Sequence, residues 1–152
     1  MRTLAIIITV LLFTQISEAR SFDKIRIKGQ FIVVDDFVDE ATIQLRNEYG
    51  AVCNIPFKSD GSFTFDAYQD QKYVVSFIKD GCIQKDVIID THFEGEITLR
   101  NVRFNVKLYP QSSDITALIY NQPVGEITFS DGTNFDVVYN YNATLVSTKM
   151  NF

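Results

Sequence analysis

Between residues 57 and 82 the chain reads FKSDGSFTFDAYQDQKYVVSFIKDGC, with apolar residues on every second position between two Asp-Gly pairs. Phe63 and Phe65 follow Asp60-Gly61, and Tyr73, Val75 and Phe77 precede Asp80-Gly81. Side chains of a β-strand alternate between two faces, so this pattern predicts antiparallel strands with one buried and one solvated face. A helix would scatter the same residues around its surface. The rest of the chain has to supply the sheets that cover these rings.

Residues 1–19 stand apart from that pattern. Arg2 gives a positive start, residues 4–13 (LAIIITVLLF) form an apolar run, and Ser17-Glu18-Ala19 ends it with small residues at the positions read for cleavage. A run this short cannot span a bilayer as a helix, which needs about 20 residues. The segment reads as a signal peptide, and the mature chain as exported, periplasmic or extracellular. No later stretch has the length and apolarity of a transmembrane helix, and no cysteine follows Ala19 to carry a lipid. The signal holds one charge of each sign, so the net charge stays at −5. Neither nucleic acid nor an anionic membrane is an expected partner of such a chain.

The remaining sequence continues the strand pattern. Lys24, Arg26 and Lys28 alternate with Ile25 and Ile27 as the wet face of a first strand, and Gly29 marks a bulge or a close backbone approach. Asp35, Asp36, Asp39 and Glu40 follow; they carry oxygen ligands, but at no spacing that fixes a calcium loop, and read as a solvated turn. Ala41, Ile43 and Leu45 alternate with polar neighbours, and Glu48-Tyr49-Gly50 turns the chain into residues 52–57. Val87 to Ile89 suggest a strand covered on both faces, and Val102, Phe104, Val106 and Leu108 alternate up to Pro110. Short strands with short turns and no convincing helix predict an all-β, antiparallel two-sheet sandwich, with Ile43, Leu45, Phe63, Phe65, Val75 and Phe77 inward. A barrel of the same strands is the alternative.

Several of these segments together resemble the transthyretin-like sandwich of carboxypeptidase regulatory-like domains, in the version found in small exported proteins of the Bacteroidetes. The resemblance rests on Gly29 with Asp35, ATIQL at 41–45, SDGSFTF at 59–65, YVVSFIKDGC at 73–82 and KDVIIDT at 85–91. Cys82 stands where that group usually has an aromatic residue after the glycine. The resemblance implies a sandwich over residues 20–109 and no chemistry of its own, because such domains accompany enzymes, receptors and adhesins without catalysing. Residues 110–152 then form an extension. Ser112-Ser113-Asp114 suit the cap of a short helix over residues 115–120, while Thr116, Ile119 and Tyr120 fit a strand as well, and residues 123–145 are expected to form a hairpin turning at Asp131 to Asn134 and docked by Val124, Ile127, Phe129 and Tyr139.

Two cysteines in an exported chain, Cys53 and Cys82, suggest a disulfide, with two buried thiols as the alternative. Two thiols and the single His92 fall short of a structural zinc set, and no metal or other cofactor is expected. His92 follows no nucleophile elbow, and Asp60, Asp80 and Asp131 each sit beside a glycine in a turn, so no catalytic residue is assigned and the chain is not expected to be an enzyme.

Two functional expectations follow. One is a structural or accessory protein of the cell envelope. The other is a module that binds a glycan or an envelope protein through Tyr109, Tyr120, Tyr139 and Tyr141, and exposure of those rings separates the two. Asn142-Ala143-Thr144 is also a glycosylation sequon, usable only on a eukaryotic secretory route.

Overall fold

The computed structural model describes residues 24–99, 101–111 and 116–149. The export signal at 1–19 and the cap at Ser112 to Asp114 lie outside these residues. The elements are β1 (Lys24–Val33), β2 (Thr42–Asn47), β3 (Val52–Ile55), β4 (Ser62–Tyr68), β5 (Lys72–Ile78), β6 (Lys85–Asp90), β7 (Asn101–Leu108), β8 (Thr116–Tyr120), β9 (Gly125–Phe129), β10 (Phe135–Tyr139) and β11 (Leu145–Lys149). Every regular element among the described residues is therefore a strand, and the fold is all-β.

The strands form a three-stranded sheet ordered β4-β1-β7, a six-stranded sheet ordered β10-β9-β6-β5-β2-β3, and a two-stranded ribbon of β8 and β11. The expectation of purely antiparallel sheets is corrected at two pairs. β1 runs parallel to β7, with Ile27 opposite Val102, and β6 runs parallel to β9, with Ile89 opposite Ile127. Alternation along a strand fixes which face is buried and says nothing about direction. Direction comes from connectivity: a tight turn forces antiparallel neighbours, whereas β7 returns to β1 only after the intervening strands have been laid down elsewhere.

The two large sheets share one hydrophobic core. Phe77 of the larger sheet is fully buried, and its ring centroid lies 5.6 Å from Phe31, 5.6 Å from Phe63 and 6.2 Å from Phe104, all on the smaller sheet. These distances are those of favourable edge-on and tilted ring pairs. Gly29 makes the cluster feasible, because a Cβ there would run into the Phe104 carbonyl oxygen and the Phe63 ring. Ile43, Phe63, Val75 and Phe77 face inward as predicted, while Leu45 and Phe65 are only partly buried. Both line a hollow between β3 and β4, which belong to different sheets; just past β3, Phe57 bridges to Phe63 of β4.

The acidic turn after β1 is solvated, with Asp35, Asp36, Asp39 and Glu40 all exposed. Lys79 ties it down, its ammonium 3.3 Å from the Asp36 carboxylate and 2.7 Å from the Asp39 carbonyl.

Cys53 and Cys82 are both free thiols, in place of the suggested disulfide. Cys53 is exposed on the edge strand β3, and β2 separates it from β5. That puts Cys53 roughly 10 Å from β5, two strand spacings away. Cys82 is buried beyond the end of β5, where it bridges to Pro110. A disulfide needs its Cα atoms within about 7 Å.

Past Pro110 the described residues form four further strands. β9 and β10 form a hairpin whose turn is held by Asp131: its carboxylate accepts from the Thr133 N–H (2.7 Å), the Thr133 hydroxyl (2.6 Å) and the Asn134 N–H (2.8 Å). These donors hold the Asp131 pKa down to about 2. β9 extends the larger sheet beside β6, burying Ile127 and Phe129, with Val124 and Phe135 packed against the same core. Tyr139 does not dock: it is 66% exposed, because it lies at the far end of an edge strand. Residues 116–120 adopt the strand alternative, pairing antiparallel with β11 in a two-stranded ribbon that the sequence did not suggest, with the β9–β10 hairpin between them along the chain.

Candidate functional site

β6 carries the inward-facing sequence Lys85, Val87, Ile89, in which the last two are buried and the first is a cation at the strand's start. Lys85 lies opposite Phe77, where the core ends. Its ammonium sits 5.0 Å from the centre of the Tyr109 ring and 5.9 Å from that of Tyr120. Ring faces attract a cation through their quadrupole, so the tyrosines partly replace the water that Lys85 gives up. Burial nevertheless lowers the Lys85 pKa from its ordinary value. Among the described residues no carboxylate pairs with it.

The surrounding backbone is held by a chain of hydrogen bonds. The Ile83 N–H donates to the Tyr109 carbonyl (2.9 Å), the Val124 N–H to the Asp86 carbonyl (2.9 Å), and the Asn140 N–H to the Val124 carbonyl (3.0 Å). The Asn140 amide donates to the Pro123 carbonyl (2.9 Å), and Asn121 and Thr144 exchange two bonds of 3.0 Å across the chain reversal. Tyr109, Tyr120 and the Tyr139–Tyr141 pair are thus carried on three separate segments, the first bonded beside the start of β6, the last linked to it through Val124, and the Tyr120 segment tied to Thr144.

The result is an open cleft of about 500 Å³ lined by Lys85, Tyr120, Val124, Tyr139, Asn140 and Tyr141. A second hollow of about 280 Å³ adjoins it, sharing Lys85, Val124 and Tyr139, and runs along β7 past Arg103, Asn105 and Lys107. It exists because the smaller sheet ends at β7 while the larger one continues through β9 and β10. Neither Arg103 nor Lys107 has a carboxylate partner among the described residues. Glu126, on β9, is engaged by Lys72 at 3.4 Å, which in turn lies 3.3 Å from Asp90. The two hollows together therefore carry an excess of positive charge, Lys85 in the cleft and Arg103 and Lys107 along the adjoining hollow, in a protein of net charge −5.

Of the sequence-predicted tyrosines, Tyr109 is 47% exposed, Tyr139 66% and Tyr141 89%, and Tyr120 is half-buried. The structure brings all four to one locality around Lys85. The sequence reading missed Lys85, Arg103 and Lys107. Lys85 had a usable signal, since it occupies an inward position in the alternation that Val87 and Ile89 continue.

The hollow between β3 and β4 is of similar size, about 480 Å³, and includes Tyr68 and the buried Tyr73 in its lining. A further concavity, about 530 Å³, lies over β1, β4 and β7 and is lined by outward residues such as Lys28, Gln30, Ser62 and Thr64. It presents no tyrosine. His92 stands elsewhere and is exposed, with Nδ1 2.7 Å from Asp90 and Nε2 3.9 Å from Glu48. Both ring nitrogens face carboxylates and neither faces a hydroxyl or thiol. Cys82 is enclosed, and burial raises its thiol pKa. No group of metal-ligating side chains occurs among the described residues, and no helix there is long and apolar enough to cross a membrane. Compared with known proteins, the chain matches no family model, no curated protein and no solved structure.

Proposed function

We propose that this chain is an exported, non-catalytic binding module of the transthyretin-like β-sandwich kind, an accessory protein of the cell envelope that holds a glycan or protein ligand in the Lys85 cleft. The observation that carries the reading is the exposure of Tyr139 and Tyr141 on one open concavity, with the half-buried Tyr120 beside them and the exposed Tyr109 against the Lys85 that lines it. A purely structural module would bury such rings, since each removes a large apolar area from water. Tyrosine suits recognition because it offers a rigid, amphipathic surface and loses little rotamer freedom on binding. The cleft volume falls within the range of about 300–1,000 Å³ typical of ligand sites. The sandwich reading is supported by two sheets packed on one core, and the export reading by residues 1–19. The geometry of His92 and Cys82 supports a non-catalytic role.

The test is a ligand screen by amide NMR with soluble glycans and peptides, repeated on a Tyr139→Ala/Tyr141→Ala double variant. True ligands should shift the amides of Tyr120, Val124 and residues 139–143 first, and the double variant should lose the response. Ligands that bind both proteins equally, or that shift amides only on β1 and β4, would remove the cleft from consideration.

A further inference from the structure

The cleft combines two recognition chemistries that are seldom wanted together. Exposed tyrosine faces suit the C–H faces of pyranose rings, and their hydroxyls suit a polyol. Three cations without carboxylate partners among the described residues, Lys85, Arg103 and Lys107, suit anions. A partly desolvated ammonium boxed by Tyr109 and Tyr120 has donors to spare, and a ligand carboxylate would accept them as charge-assisted bonds. Among the described residues the only carboxylate lining either hollow, Glu126, is paired with Lys72.

Resting on the binding reading above, we propose that the ligand is an acidic glycan: a chain of pyranose units bearing carboxylates, stacked on Tyr139 and Tyr141 and anchored by Lys85, with Arg103 and Lys107 taking further carboxylates along β7. The net charge of −5 gives no polyanion a long-range attraction, so a ligand carboxylate is recognised locally, within reach of the three cations. The form of the site points the same way. The cleft is open and presents Tyr120, Tyr139 and Tyr141 beside Lys85, a surface on which sugar rings can stack, and the adjoining hollow adds Arg103 and Lys107 along the rim of an apolar floor of Val87, Val106 and Ile127.

Isothermal titration of the full mature chain with uronate oligomers, α-1,4 galacturonate and β-1,4 mannuronate, tests this against their methyl esters, which keep ring and length but lose charge. At least one free acid should bind, its ester at least about tenfold more weakly, and the acid alone should lose affinity as salt is raised. Lys85→Met should weaken the acid about tenfold and leave the ester unchanged, while Lys85→Arg retains binding. Tyr139→Ala should weaken both. Circular dichroism of each variant checks that it folds. Equal binding of acid and ester, or an unaffected Lys85→Met, overturns the acidic specificity while leaving a neutral-glycan cleft intact. Absence of binding by every acid also overturns it, and the NMR screen then decides separately whether the cleft binds anything.

Discussion

Replacing Ile127 with Ala asks whether the C-terminal hairpin belongs to the core or merely leans on it. Ile127 is 1% exposed on β9, opposite Ile89 of β6 and Val137 of β10. The change deletes three carbons, worth about 2.4 kcal/mol at about 0.8 each. The cavity left behind adds roughly 1–2 kcal/mol if the walls stay in place, for a total of about 4. Val138→Ala is the control: it lies on the neighbouring strand but on the opposite face, 56% exposed, and should change stability by no more than about 0.5 kcal/mol. Urea unfolding followed by circular dichroism and tyrosine fluorescence, clean because the chain has no Trp, reads both. A single transition with unchanged slope and a loss near 4 kcal/mol places β9 in the cooperative unit. A loss under about 1 kcal/mol, or a separate early transition, would show that β9 and β10 fold on their own account and that the cleft is not held by the core.

Gly29→Ala should lower stability by about 3 kcal/mol or prevent folding, because the added carbon meets backbone at Phe104 as well as the Phe63 ring; an unchanged urea midpoint would refute that packing. Cys53 should react with iodoacetamide in the native protein and Cys82 only after unfolding, with an intact mass lacking the two-hydrogen loss of a disulfide. Asp131 has its pKa depressed from 3.8 to about 2, so its contribution to the β9–β10 turn is complete above about 3.8 and is lost as pH falls through about 2. Amide exchange across the hairpin should accelerate over that window in the wild type and be independent of it in Asp131→Asn. Ending the chain after Pro110 uncovers the β6 edge and should cause aggregation; a soluble, equally stable product would contradict the sheet order.

Much of the fold was legible along the chain because strand alternation is local. Ile43, Phe63, Val75 and Phe77 declare their inward face two residues at a time, and Asp131 announces its turn through the donors at Thr133 and Asn134. The four tyrosines could be picked out as the residues in question, since large rings in an extension must be either buried or used. Their convergence could not. It depends on β9 lying parallel to β6 and on the smaller sheet stopping at β7, and both are outcomes of how distant segments pair. The same holds for Cys53 and Cys82, whose relation is set by an intervening strand and not by their separation in sequence. A period of two assigns every side chain to one face of a sheet. Which sheet, beside which neighbour and in which direction, is decided by long-range pairing, and so the cation at Lys85 meets its rings only in the folded molecule.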